Sequence, residues 1–458
     1  MKEIIKEYFE NHKQELLNCI SELVEIPSVR GEAEDGKPFG AMPYAALCRA
    51  LEIAGGMGFK TENHDGYVGT VDMGEGEPEL GILAHLDVVP AGDGWHTEPF
   101  KMTVDGDRIL GRGVSDDKGP AMCALFAMKA VRDLKLPITK NCRLILGTDE
   151  ECGSSDIAHY FETAKPAKYT FTPDANFPVT NGEKGRFTKH FFADIDLSGE
   201  SRKLVSFNAG VAENAVPSFA EAEVSGISAD EIEKAIELSA WTGAEFKADG
   251  DKIICSGISA HASLPENGNN PITALIELLS NIDFDEKTAS LIASLKELFP
   301  HGKWNGEAFG VDMCDKLGRL TLTLDIVKFD GRSFEGCFDT RTSMSATQEN
   351  CANVISAKLA EHGFRIENRD MIKPHYVDES SDFVQTLLSA YEEYSGDKGE
   401  CITMGGGTYV HNIDSGVAFG AISRDLQTNM HGADEFMPIA DLLTASEIFT
   451  QVIADICQ

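Results

Sequence analysis

Gly111-Arg112-Gly113-Val114-Ser115-Asp116-Asp117-Lys118-Gly119 ends one extended stretch and opens an apolar helical run, Pro120 to Leu134. Two adjacent carboxylates between glycine-permitted turns, ahead of a helix N-terminus, make a rigid anionic corner with oxygen atoms turned outward. Taken alone, the corner is satisfied by the Lys118 ammonium and the helix dipole, with the Asp pair as a surface N-cap. Four other stretches weigh against that bland reading.

Upstream, Glu79 to Val89 reads as a buried strand: the apolar run Leu80, Ile82, Leu83, Ala84 delivers His85-Leu86-Asp87 at its C-terminal end. In open α/β sheets that end is where sites are built. A His-x-Asp on a strand puts both side chains on one face, so Asp87 can bond the His85 ring nitrogen turned away from a metal. A purely structural pair explains such a motif equally well. Ser/His/Asp catalysis lacks the Gly-x-Ser-x-Gly elbow it would need.

Downstream, Asn141 to Gly147 reads as a second buried strand, ending in Thr148-Asp149-Glu150-Glu151. Of two adjacent acids in one turn, one can bind a metal while the other acts on a water. A third run, Tyr169 to Thr172, ends at Pro173-Asp174-Ala175. Each of these acidic turns has a solvated-surface explanation in so acidic a chain. Three strands that all end in ligand-type residues, separated by helical stretches, make a βαβ pattern much harder to dismiss.

From about Gly182 the character changes. Lys189 to Asp196, Phe219 to Val224, Ile253 to Ser256 and Arg319 to Val327 read as strands, and Asp230 to Leu238, Pro271 to Leu279 and Ala346 to Glu361 as helices. The α/β pattern resumes after Tyr376, so this α+β region is an insertion. It contains Ser259-Ala260-His261 and Asp339-Thr340-Arg341; the last segment carries Gly405-Gly406-Gly407-Thr408 and Asn429-Met430-His431-Gly432. The three glycines are no phosphate loop, because no Gly-Lys-Ser/Thr follows. Near the start of the chain, residues 4 to 24 and Tyr44 to Ala54 have helical spacing, the second run closed by Gly55 and Gly56.

At 458 residues the chain exceeds one ordinary domain. Lys plus Arg number 40 against 75 Asp plus Glu, a formal −35, which argues against nucleic acid and anionic membranes as partners. No apolar stretch reaches the roughly 20 residues needed to cross a bilayer. The charged N-terminus is no signal peptide, so the expected location is cytoplasmic. Eleven Cys without a Cys-x-x-Cys pair fit reduced, mostly buried thiols.

His85-Leu86-Asp87, the Asp116 corner, Glu150-Glu151, Asp174 and His431 resemble, in order and spacing, the M20 family of metallopeptidases. The sequences Ala-His-Leu-Asp-Val-Val-Pro-Ala-Gly-Asp-Gly-Trp, Asp-Asp-Lys-Gly-Pro and Pro-Asp-Ala-Asn-Phe-Pro-Val resemble its dipeptidase V (Sapep) branch, as does the size of the insertion. The resemblance implies a split α/β catalytic domain, residues 1–182 and 377–458, with a mixed, mainly parallel central sheet and helices on both faces. Residues 183–376 would form the inserted α+β lid that closes on the substrate.

It also implies two Zn2+, with Mn2+ or Co2+ as alternatives, held by His85, Asp116, Glu151, Asp174 and His431. Asp116 would bridge, with His85 and Asp174 on one ion and Glu151 and His431 on the other; the Asp116-Asp117 peptide would be cis. Glu150 takes the place of the general base acting on a metal-activated water, and Asp87 that of the residue orienting His85. His261 matches the lid histidine that steadies the oxyanion. Arg341 would clamp the substrate carboxylate, with Asn214, Gly406, Gly407 and Thr408 as further contacts. The implied protein is a monomeric cytoplasmic dipeptidase acting on small peptides with free termini. The alternative within the family is an N-acyl-amino-acid deacylase of the acetylornithine or succinyl-diaminopimelate type. A non-catalytic acidic binding protein on the same scaffold would need neither Glu150 nor His261.

Overall fold

Four strands lie parallel at the centre of one sheet, in the order Asn141–Gly147, Pro78–His85, Tyr169–Thr172 and Gly416–Ala418. The computed structural model describes residues 1–458. Its backbone divides into two units. The first comprises Met1–Gly182, Tyr376–Ile402 and Gly407–Gln458; the second comprises Glu183–His375 and Thr403–Gly406.

In the first unit the central strands are apolar and buried on both faces, as parallel strands must be. Lys60–His64 and Val68–Asp72 extend the sheet antiparallel on one side, and Val179–Glu183 does so on the other. Leu80, Ile82 and Ala84 face the larger core, where the helices Lys2–Val24, Lys118–Asp133, Asp382–Ser395 and Ile439–Ile456 pack. Leu83 and Ile145 face the opposite side and meet the short helix Ser155–Phe161 and the turn Tyr409–Asn412. The sheet is thus mixed, with helices on both faces. Its register sets His85 opposite Gly147, so the chain leaves both strands at one edge, bearing acids.

The second unit is an antiparallel sheet in the order Glu245–Asp249, Lys252–Ser256, Phe219–Ser225, Lys203–Ala209, Thr321–Phe329, Ser333–Thr342, Lys189–Asp194 and Arg365–Ile366. Its core gathers Phe191, Phe207, Phe334 and Phe338 with residues of the helices Ala229–Ser239, Pro271–Leu279, Glu286–Leu298 and Asn353–Glu361. A capping box starts the first of these helices: the Ser228 hydroxyl accepts the Glu231 amide while the Glu231 carboxylate accepts the Ser228 amide.

Several boundaries differ from the sequence pattern. The strand at His85 stops there, so Asp87 stands in the following loop. Helix Ala41–Gly56 includes Gly55 and Gly56 instead of ending before them. The helix after the corner begins at Lys118, and Asp117 sits at its N-cap position without a side-chain capping bond. Lys118 turns away from the Asp pair and donates to the carbonyls of Leu23 and Ile26, at 2.9 and 2.7 Å. Burial lowers its pKa to about 7. The surface-cap reading of the corner therefore fails: its lysine is spent on the end of the first helix.

Candidate metal centre

Asp116 presents one carboxylate oxygen to each of two histidines. Oδ1 lies 2.9 Å from His85 Nε2, and Oδ2 lies 2.9 Å from His431 Nε2. Around Oδ1, Asp174 Oδ2 approaches the same His85 nitrogen at 3.7 Å. Around Oδ2, Glu151 Oε2 approaches His431 Nε2 at 3.2 Å. Donor atoms of His85, Asp116 and Glu151 lie within 4.8 Å of one another, as do those of His85, Glu150 and Asp174. The Asp116-Asp117 peptide is cis.

Backbone and neighbouring carboxylates hold these groups in place. His85 Nδ1 donates to the Asp87 carbonyl at 3.0 Å, since a carbonyl can only accept. In the neutral ring that leaves the lone pair on Nε2, facing Asp116. The Asp87 carboxylate sits 3.4 Å from Nδ1 and also accepts the amides of Glu150 and Glu151, at 3.2 and 3.1 Å. Asp117 Oδ2 accepts the His85 amide at 3.0 Å. Gly113, at φ +90°, crosses where a Cβ would lie 3.0 Å from the Lys118 side chain, so the corner needs a glycine there.

The titration of these groups follows from their crowding. Burial opposes charge on His85, but bonds to Asp116 and Asp87 outweigh it and hold the imidazole well above its ordinary value. Asp116 and Glu151 raise His431 to about 10. Asp116 is pushed up by burial, yet its two histidines hold it well below the carboxylate range. Burial and the Asp116 charge lift Asp174 to about 7, and burial lifts Glu150 well above its usual value. Protonated histidines thus offset part of a surplus of carboxylates. Carboxylate oxygens and imidazole nitrogens without thiolate suit hard and borderline divalent ions, which would displace those protons, so the donor set fits.

In the second unit His261 ends the short strand Ala260–His261, paired with Ala215–Val216, and the Asn214 carbonyl accepts the Ala262 amide at 2.9 Å. His261 Nδ1 accepts the Ser263 amide at 3.1 Å, which places the ring proton on Nε2, and it meets the Ser263 hydroxyl at 2.7 Å. Burial and the Arg341 charge lower its pKa, so the ring is neutral. Arg341 spends Nε and Nη2 on Asp339, at 2.7 and 3.0 Å, and one Nη1 hydrogen on the Gly405 carbonyl at 2.6 Å. A Cβ on Gly405 would come 2.3 Å from Ser263 Cβ, so the turn bearing Gly406 packs against the His261 segment. Gly407 and Thr408 belong to the first unit, where Thr408 precedes the turn Tyr409–Asn412.

Residues 81–455 match the family described as Peptidase family M20/M25/M40. The chain belongs to this family. It is 34% identical to the Bacillus subtilis protein named "Putative dipeptidase YtjP", across 97% of this chain and 98% of that one. It is 32% identical to "Putative dipeptidase SH1171" of Staphylococcus haemolyticus, across 99% of both. Among solved structures, human carnosine dipeptidase 1 has the same fold, with a TM-score of 0.60 at 15% identity over the full length of both chains. Aminoacylhistidine dipeptidase from Vibrio alginolyticus gives 0.59 at 13% identity over 96% of each.

Two features of this M20 chain escaped the sequence reading. Glu435, fully buried, accepts the amides of Gly113, Ser115 and Asp116 and the Ser115 hydroxyl, and pairs with Arg112 Nη1 at 2.7 Å. It ties the turn bearing His431 to the corner bearing Asp116. That turn carries Asn429, His431 and Asp434 at positive φ, and its run of Asn, Gly and Asp was the only local signal. The second feature is Asp156, which accepts the Thr148 and Asp149 amides and the Tyr409 hydroxyl beneath the Glu150-Glu151 turn. Gly147 permits it, because a Cβ there would lie 2.1 Å from the Tyr409 oxygen. Cys152, next to Glu151, is exposed, unlike the mostly buried thiols that the sequence suggests.

Proposed function

We propose that this M20 chain is a metal-dependent dipeptidase with two divalent ions, zinc in the first instance and manganese or cobalt as alternatives. The observation that carries the reading is Asp116, whose two oxygens face separate histidines, each backed by a further carboxylate. His85 and Asp174 would hold one ion, His431 and Glu151 the other, with Asp116 between them. When bound, such ions supply Lewis acidity that lowers the pKa of water toward neutrality. The names of the two relatives above, both named as dipeptidases, support dipeptides as substrates.

The protein's own groups then divide the remaining work. Glu150, half-buried beside His85 and Asp174, accepts the proton of the attacking water and returns it to the leaving amine. Asp87 orients His85 and fixes the Glu150-Glu151 turn. His261, neutral with its proton on Nε2, donates to the developing oxyanion. Arg341 binds the substrate's terminal carboxylate through the Nη hydrogens that Asp339 and Gly405 leave free. Asn214, Gly406, Gly407 and Thr408 give polar contacts to the same end. A carboxylate held at fixed distance from the reacting bond restricts cleavage to very short peptides. We further place the protein as a cytoplasmic monomer; no helix is long and apolar enough to cross a membrane.

The test is hydrolysis of a small panel by metal-reconstituted protein: free dipeptides, a tripeptide, an amidated dipeptide and two N-acyl amino acids. Cleavage confined to free dipeptides is expected. Cleavage confined to N-acyl amino acids would move the protein to the deacylase branch with its metal centre intact.

A further inference from the structure

Along strand Ser333–Thr342 every second residue turns to the same face of the second unit's sheet: Glu335, Cys337, Asp339 and Arg341. Phe334 and Phe338 enter the aromatic core on the other side. His190 is the residue directly opposite Cys337 in the antiparallel ladder, so an imidazole and a thiol stand side by side on the polar face. His190 Nε2 lies 3.0 Å from Glu213 Oε1, and Nδ1 lies 2.7 Å from Glu335 Oε1. A ring nitrogen of His190, a carboxylate oxygen of Glu213 and Cys337 Sγ all fall within 4.8 Å of one another. None of these residues belongs to the Asp116 cluster.

We propose that His190, Glu213 and Cys337 form a further divalent-cation site of zinc type, with Glu335 holding His190 through its other ring nitrogen. One thiolate, one imidazole and one carboxylate are a borderline donor set, unlike the all-oxygen-and-nitrogen set around Asp116. Zinc bonds of about 2.0–2.3 Å place tetrahedral donors roughly 3.3–3.7 Å apart. His190 and Glu213 are already that close, at 3.0 Å; Cys337 Sγ, within 4.8 Å of both, needs to approach by at most about an ångström, and Glu213, exposed in the turn after strand Lys203–Ala209, can shift to admit it. A carboxylate on the far nitrogen is the usual outer partner of a metal-bound histidine.

Pairing with two glutamates accounts for the His190 contacts, while the buried thiol makes only a long contact of 3.9 Å to the Phe338 carbonyl. Burial and the surrounding Glu213, Asp325, Asp339 and Glu335 hold the Cys337 thiol protonated, and the same charges favour a cation that would replace its proton. Two strands and the turn leading into Asn214 would then be joined at one point.

The experiment is titration of the whole chain with Co2+. The Asp116 cluster has no sulfur donor, so a thiolate-to-cobalt charge-transfer band reports cysteine ligation alone. The wild type is expected to show the band and to bind one more Co2+ per chain than Cys337→Ser, which loses it. Cys152→Ser, altering the exposed thiol beside Glu151, should keep the band. Glu335→Gln should weaken the band-bearing site about 10- to 100-fold, and Glu213→Gln at least about 10-fold. These two surface variants decide the matter should Cys337→Ser fail to fold. No band at saturating Co2+, a band that survives Cys337→Ser, or cobalt affinity untouched by Glu213→Gln overturns the site.

Discussion

Asp87 Oδ2 accepts the backbone N–H of Glu151 at 3.1 Å, while Oδ1 of the same carboxylate accepts that of Glu150 and stands 3.4 Å from the His85 ring. One side chain thus sets two acids and a histidine that come from different strands. Asp87→Asn replaces an acceptor oxygen with a donor facing N–H. Metal affinity should fall about 10- to 100-fold, read by chelator competition. Unchanged affinity would show that the turn holds without Asp87.

Glu150→Gln keeps the shape of the side chain and removes its basicity. The variant is expected to retain its metal content and to lose about 10²- to 10⁴-fold in kcat. Near-normal turnover with full metal would remove Glu150 as the base.

His261 donates from Nε2 because the Ser263 amide occupies Nδ1. His261→Ala should lower kcat about 10²- to 10³-fold with little change in KM. Ser263→Ala leaves that amide in place and should cost far less; equal losses in the two variants would assign the effect to the hydroxyl.

Glu435→Gln leaves Arg112 without its buried countercharge and weakens the amide bonds that shape the corner. Urea unfolding should show a loss of about 3 kcal/mol, accompanied by weaker metal binding. Wild-type stability would mean that the carbonyls of Pro90, Ala91 and Gly432 suffice for Arg112.

Burial raises Glu447, on helix Ile439–Ile456, to about 7, against roughly 4.3 in an unfolded chain. The folded state therefore binds its proton more tightly. The resulting stability is complete below about pH 4 and is lost as pH rises through 7. Glu447→Gln should match wild type near pH 4 and exceed it above pH 7 by on the order of 1–2 kcal/mol, after allowing for solvent screening. Melting curves across that range measure it, and a pH-independent difference would exclude the titration.

Much of the first unit was legible locally. The strands Asn141–Gly147 and Tyr169–Thr172 coincide with the runs read from the sequence, because buried parallel strands are dominated by aliphatic, aromatic and β-branched residues. Strand Ser333–Thr342 was invisible by the same logic: it alternates phenylalanine with charged residues and glycine, and only its sheet partners make it a strand. Helix Ala41–Gly56 runs through both glycines because packing of its apolar face outweighs their propensity cost.

The sequence by itself determined which acids and histidines sit at element ends, and in what order, since hydrophobic period and turn chemistry are short-range properties. Tertiary structure alone decided that Asp116 turns one oxygen to His85 and the other to His431, and that Lys118 leaves the corner for the carbonyls of Leu23 and Ile26. It likewise decided that Glu435 is the anion on which the corner folds. Hydrogen bonds between groups hundreds of residues apart depend on how sheets and helices stack, and no local pattern encodes that distance.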